Sequence, residues 1–295
     1  MFNEKESIIF TRHTKRADGS MGYGLEAGQK PSENYPHITI EGEEKTREIA
    51  RLNFKKLIEQ SVEGSILFIG GASEEERTKE TAEVIGDELK ECFQNDAELM
   101  IFTKKEMDDL GEQAKAKKTS TNKIIRFIIE NNPNKKMVFT FPFYLKEFSL
   151  RSHHREKETG KHTDYMLELL EQTNYDERAA ALEWFKNNGT IKDESGKTFK
   201  VPTPQETAET HISGINRLKS FAKKFAPDRS INIGIVGHGW QLDALALYIA
   251  NKGKVDAESF ERVFGNQLIQ QPETGVITFD KNRTLLEYKE KTYEI

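Results

Sequence analysis

The sequence predicts an α/β layered fold with a largely parallel central sheet. Three observations carry this. Short apolar runs at residues 7–11, 65–69 and 231–236 have the length and continuity of strands covered on both faces. Longer stretches between them repeat their apolar residues at helical spacing. The chain has 295 residues, enough for one large domain with a substantial core. Strands that alternate with helices give a parallel sheet with helices on both faces, a three-layer α/β/α arrangement.

The elements follow in order. Ser7-Ile-Ile-Phe-Thr11 is the first strand. Residues 18–36 are polar and contain several glycines, as a long loop does. Residues 41–60 place Ile49, Leu52, Leu57 and Ile58 on one broad stripe, hence a helix. Residues 65–69 form a second strand, ended by Gly70 and Gly71. Ser73, three residues before Glu76, has the spacing of a capping box that opens a helix. That helix carries Ala82, Ile85, Leu89 and Cys92 at helical spacing, which makes Cys92 a small core residue rather than a nucleophile.

Residues 99–102 read as a weaker strand and 104–118 as a charge-rich exposed stretch. Residues 123–130 look helical and 137–141 look like another strand. Residues 149–163 are dense in charge and histidine, 164–186 read as two helices, and 187–204 as a polar loop. Residues 206–225, with Ile212, Ile215, Leu218, Ala222 and Phe225, form the clearest amphipathic helix. The strand at 231–236 is followed by Gly237-His238-Gly239 and an apolar helix to about residue 250. Residues 275–279 and 284–288, around Lys281-Asn282-Arg283, read as a β-hairpin.

Composition narrows the function classes. The chain is 36% hydrophobic and 32% charged with net charge −5, so a basic surface for nucleic acid is not expected. No apolar run is long enough to cross a bilayer. The first residues show no apolar signal region after a basic start. The single cysteine excludes an internal disulfide and a cysteine-rich zinc module. Together these point to a cytoplasmic protein with neither nucleic-acid nor membrane partners.

In parallel sheets ligands sit beyond the carboxyl ends of the strands. The residues found there are Thr11-Arg12-His13, then Gly70-Gly71-Ala72-Ser73 with Arg77 beyond, then Gly237-His238-Gly239. Each has a bland reading alone. A histidine at a strand end is commonly structural, Arg77 could be an exposed helix residue, and Gly-His-Gly could be a tight turn. If the strands are neighbours, however, two histidines and two arginines converge. Fixed cationic groups suit a dianion, most naturally a phosphoryl group, whose oxygens match the planar fork of arginine. Held donors also stabilise the charge developed in phosphoryl transfer.

Other clusters are weaker. His153, His154, Glu156, Glu158 and His162 could suggest a metal site, but they sit in a charge-rich stretch with no sign of a shaped pocket. The glycines from Gly19 to Gly28 lack the strand–GxGxxG–helix context of a dinucleotide site. Trp184 and Phe185 suit helix cores better than base stacking.

Ile8-Ile-Phe-Thr-Arg12-His13-Thr14 resembles the Arg-His-Gly signature of the histidine phosphatase superfamily, the phosphoglycerate mutase-like proteins. Ile38-Thr-Ile-Glu-Gly42 is similar to the segment that opens the family's first helix. Arg77-Thr-Lys-Glu-Thr81-Ala82-Glu83 resembles its Arg-x-x-x-Thr-Ala-Glu motif. Pro204-Gln-Glu206-Thr207 is a looser match to its Gly-Glu-Ser segment, and Val236-Gly-His238-Gly239 matches its second-histidine motif. The blocks run in family order from Ile8 to Ala250. The resemblance implies a single phosphoglycerate mutase-like domain over residues 1–295, with a cap or insertion region over residues 104–204.

It also implies a mechanism. His13 would attack phosphorus and become a phosphohistidine. Arg12, Arg77 and His238, with His13, would hold the phosphoryl oxygens, and His238 would take part in catalysis. An acidic residue would protonate the leaving oxygen and then activate water. Covalent catalysis splits one hard displacement into two easier ones. Nearby cations favour the neutral imidazole that attack requires. These groups can do the charge work of a metal, so neither metal nor cofactor is expected. Two Leu-x-Glu segments offer the acid, ending at Glu112 and Glu147. Glu147-Phe-Ser-Leu150 fits the family pattern better, so Glu147 is preferred.

Three departures stand out. Thr14 replaces the glycine after the histidine, where its side chain could crowd a phosphate or donate a hydroxyl to it. Gly71-Ala72-Ser73 replaces Ser-Pro, and Lys15-Arg16-Ala17-Asp18 replaces the Trp-Asn hallmark of the mutases. The expectation is therefore a metal-independent phosphomonoester hydrolase acting on a small phosphorylated substrate. The alternatives are a pseudophosphatase that binds phospho-ligands without turnover, and a phosphoglycerate-type mutase.

Overall fold

The computed structural model describes residues 6–15, 17, 30–72, 75–141, 145–148, 165–186, 189–192, 196–280 and 283–294. Its central sheet is built from β1 (Glu6–Arg12), β2 (Ile66–Gly71), β3 (Leu99–Phe102), β4 (Lys136–Thr140), β7 (Ile231–Gly237), β8 (Thr274–Asp280), β9 (Arg283–Tyr288) and β10 (Lys291–Glu294). A small separate hairpin joins β5 (Thr190–Lys192) to β6 (Thr198–Lys200). The order across the central sheet is β10-β9-β8-β1-β7-β2-β4-β3. From β1 to β3 every neighbouring pair is parallel, whereas β8, β9 and β10 continue the sheet as antiparallel strands.

Successive residues of each strand serve opposite faces. Ile9, Leu67, Ile69, Val138 and Val236 pack beneath α1 (Ile40–Ile49), α2 (Lys55–Gln60) and α3 (Glu76–Cys92). On the other face, Ile8, Phe10, Ile66, Phe139, Ile233 and Ile235 share a core with the helices that complete the third layer. These are α4 (Lys104–Ala116), α5 (Thr121–Asn131), α6 (Tyr165–Gln172), α7 (Glu177–Phe185), α8 (Pro204–Phe225), α9 (Gly239–Ala250) and α10 (Ala257–Phe264). The three-layer, mostly parallel α/β/α architecture is the one the sequence predicts.

Several elements differ in detail. The helix expected over residues 41–60 is divided by a π turn at Ala50–Phe54. Ala50, Phe54 and Ile58 are all buried and recur every four residues. That is wider than the roughly 3.6 of an α-helix, and the π turn supplies the difference. The charged stretch after residue 104 is a regular helix. A capping box between Thr103 and Glu106 opens it, and Met107, Leu110 and Ala114 form its buried side. The stretch 187–204, expected as a loop, contains the β5–β6 hairpin, anchored by buried Ile191 and Val201. Ser73, the expected cap of α3, lies outside the described residues; the N-cap position is Glu75.

The expected cap or insertion region spans residues 104–204. Within that span, β4 lies in the central sheet between β2 and β3. Among the described residues no helix is long and apolar enough to cross a membrane.

Candidate active site

Sheet order brings the three chemical segments together. β7 lies between β1 and β2, in a register that pairs Arg12 with Gly237 and Gly71 with Val236, so the three carboxyl ends lie side by side. The His13 N–H donates to the Gly237 carbonyl at 2.9 Å and the Ala72 N–H to the Val236 carbonyl at 2.9 Å, which carries the alignment past the strands.

His13 and His238 are both buried, with ring centroids 5.0 Å apart in an edge-on arrangement. Burial first, then the positive charges of Arg77, His238 and Arg12, hold His13 well below the usual imidazole range, against the opposing effect of the Thr14 carbonyl. His13 is therefore neutral near pH 7. Its Nδ1 lies 2.7 Å from the Thr14 carbonyl oxygen. A carbonyl can only accept, so Nδ1 carries the proton and Nε2 keeps its lone pair.

Arg77 stands in the first turn of α3. The Thr81 hydroxyl donates to the Arg77 carbonyl at 2.6 Å and accepts the Thr14 N–H at 3.3 Å, so this turn is tied to the chain just beyond His13. The same segment is fastened to α1. Thr39 caps that helix by accepting from Gly42 N–H at 3.0 Å, and its own N–H donates to the Lys15 carbonyl. The Thr14 hydroxyl donates to the Gly42 carbonyl at 2.9 Å. It is thereby aimed at α1 and donates its proton there.

Arg12 is buried over the N-terminus of α9. A Cβ on Gly239 would lie 2.9 Å from its Cζ, so only glycine leaves room for the guanidinium. Arg12 Nη1 donates to the Ile269 carbonyl at 2.7 Å, and Nη2 meets a Glu177 carboxylate oxygen at 2.5 Å. Behind it, buried Asp243 accepts the Ile269 N–H at 3.0 Å and the Tyr288 hydroxyl. Burial pushes Asp243 up to about 7, against the pull of Tyr288, Lys289, the Ile269 amide and Arg12.

Arg12, His13, Arg77 and His238 are thus brought together. Glu147 lies in the 3-10 turn Lys146–Phe148, 2.9 Å from Arg217 of α8. Glu112 is exposed on α4 beside Lys115, and Glu206 closes the capping box of α8 with Thr203. Lys15 lies 3.6 Å from Glu41. Arg16, the glycines at 19–28, and His153, His154, Glu156, Glu158 and His162 lie outside the described residues. Among the described residues no three His, Cys, Asp or Glu side chains gather as a metal site.

Sequence reasoning missed Glu177, Ile269, Asp243 and Tyr288. Glu177 opens a helix with nothing to mark it. Asp243 did leave a signal, as the one acidic residue of a mostly apolar helix.

The fold and site together define a three-layer α/β protein with a histidine- and arginine-rich cluster at the carboxyl ends of its parallel strands. No family model and no curated protein matches the chain. The solved structures similar to it include a mycobacterial glucosyl-3-phosphoglycerate phosphatase, with 12% identity over 92% of this chain and 89% of the other, TM-score 0.41. Another is a phosphoglycerate mutase from Bacillus anthracis str. Sterne, with 11% identity over 98% and 94%, TM-score 0.41.

Proposed function

We propose that the protein is a metal-independent phosphomonoester hydrolase of the histidine phosphatase type, acting through a phosphohistidine on His13. The observation that carries this reading is a buried imidazole with an unprotonated Nε2, kept neutral beside Arg77, His238 and Arg12. Nε2 forms a bond to phosphorus as the ester P–O bond breaks, and the departing oxygen takes a proton from an acid, the role proposed for Glu147, which recovers it from the attacking water in the second step. Water then attacks the phosphohistidine. The P–N bond breaks, phosphate leaves, and the imidazole returns to its neutral form. The two arginines, His238 and the amide ends of α9 supply the donors that a transferring phosphoryl group needs. The single cysteine supports a reducing, cytoplasmic setting.

The test is hydrolysis of an aryl phosphate in excess chelator. Turnover should survive chelation, disappear in His13→Ala, and pass through a phosphoenzyme that is labile in acid and stable in base. Activity lost on chelation, or retained in His13→Ala, overturns the reading.

One observation favours a second reading, phospho-ligand binding without turnover: the preferred acid, Glu147, is engaged with Arg217 on α8. Phosphate binding with no hydrolysis across a range of esters would establish it.

A further inference from the structure

Arg12 is the last residue of β1, and the protein itself holds both of its terminal guanidinium nitrogens. Nη1 donates to the Ile269 carbonyl at 2.7 Å, and Nη2 meets Glu177 at 2.5 Å. Nε is buried and has no partner among the described residues. It lies against Gly239, next to His238: a Cβ on Gly239 would come within 2.9 Å of it. This N–H is the donor that an anion held by His238 and the first turn of α9 would meet.

The two anchors are unequal. The Glu177 side chain is 45% exposed, and an ion pair open to solvent fixes direction weakly. Ile269 is fully buried, so its carbonyl is the firm anchor. Yet Ile269 lies in the stretch 265–273 between α10 and β8, which is neither helix nor strand. Its own N–H donates to Asp243 Oδ1 at 3.0 Å, and the Tyr288 hydroxyl donates to the same oxygen. Asp243 stands on α9, little more than one turn beyond His238. A continuous set of hydrogen bonds thus runs from α9 through Asp243 and Ile269 to Arg12, and β9 closes it through Tyr288.

The Asp243 carboxyl is wholly buried, and burial pushes it up to about 7. An apolar residue would occupy that place at less desolvation cost. It would also leave the Ile269 N–H without an acceptor and the segment free to shift.

We propose that Asp243, supported by Tyr288, is a positioning residue: through Ile269 it fixes the Arg12 guanidinium so that its Nε–H faces the phosphoryl group. This rests on the reading of Arg12 as a phosphate-binding group, and not on turnover. Asp243 itself touches no substrate.

The test is titration calorimetry of the full chain with inorganic phosphate. Asp243→Leu fills the same space without an acceptor and should weaken phosphate about tenfold. Asp243→Asn keeps a side-chain oxygen for the Ile269 N–H and should stay within about twofold of the parent. Arg12→Lys keeps the charge but has no guanidinium to be held. In that background Asp243→Leu should cost less than about twofold more, which a general loosening of the site would not give. Tyr288→Phe removes one hydroxyl from the same carboxyl. It should weaken phosphate about threefold in the parent and not at all in Arg12→Lys, and it carries the test if Asp243→Leu does not fold. Unchanged binding in Asp243→Leu, or in Tyr288→Phe where that variant carries the test, overturns the proposal. So do equal losses with and without the Arg12 guanidinium, or a loss in Asp243→Asn as large as in Asp243→Leu. If the parent itself does not bind phosphate, the reading of Arg12 as a phosphate-binding group falls, and this assignment with it.

Discussion

The hydroxyl of Thr14 donates to the carbonyl of Gly42 at 2.9 Å, and a Cβ on residue 42 would lie 2.7 Å from that same hydroxyl oxygen. The two residues are fitted to each other, and through them the chain after His13 is held against α1. Gly42→Ala should destabilise the protein by about 1–3 kcal/mol, the ordinary range for overpacking a buried contact. In a Thr14→Gly background the cost of Gly42→Ala should shrink, because the obstructing hydroxyl is gone. A double-mutant cycle by urea denaturation measures the coupling, and additive losses would mean that the two residues do not meet as described.

Gly239→Ala should weaken binding and stability together. The added Cβ meets the buried Arg12 guanidinium, which must leave the Ile269 carbonyl and Glu177 to make room. Inorganic phosphate binding should weaken about tenfold, the scale of one charge-assisted hydrogen bond. The melting temperature should fall with it. Phosphate binding and melting temperature both unchanged would contradict the placement of Arg12.

The imidazole of His13 should not titrate near its usual 6.5. Nitrogen-resolved NMR should show one neutral tautomer, protonated at Nδ1, from about pH 7.5 down to about pH 5.5, where an ordinary histidine changes charge. A midpoint near 6.5, or a proton on Nε2, would remove the basis for nucleophilic attack.

Asp243 gives a pH effect of definite sign. Its folded value is raised from 3.8 to about 7, so the folded state holds this proton more tightly than the unfolded chain. Its contribution is complete below 3.8 and is lost as pH rises toward about 7. Asp243→Asn keeps an acceptor for the Ile269 amide but does not ionise. Its stability relative to the parent should therefore improve across that interval, by at most about 1.4 kcal/mol per pH unit. Chemical denaturation of both proteins at several pH values measures the difference. A constant difference would show that Asp243 does not stay protonated.

The strands and the larger helices could be read because their apolar residues follow the two simple periods. Arg12, His13, Arg77 and His238 could be read because each follows a strand directly or opens the next helix, where parallel sheets gather their chemistry. The π turn could not, since four-residue spacing of Ala50, Phe54 and Ile58 looks like a slightly loose helix until burial is known. α10 and β10 are short, and tertiary contacts define them more than local pattern does; Phe260 and Phe264 owe their burial to Phe185 and Tyr288. The acid was the hardest residue to place. Both Leu-x-Glu segments satisfied a local pattern, and only the spatial course of the chain shows Glu147 beside Arg217 and Glu112 in solvent. Glu177 was invisible for the complementary reason: its meaning comes from an arginine 165 positions away.

The first strand, β1, hydrogen-bonds only to β7 and β8 among the described strands, and both are made after residue 230. During synthesis it must wait, unpaired and apolar, while most of the polypeptide leaves the ribosome. Such distant pairing slows folding and leaves an adhesive edge open for longer. Nascent chains released before β7 emerges should therefore be protease-sensitive around residues 6–12 and unable to retain phosphate, however complete their earlier helices are.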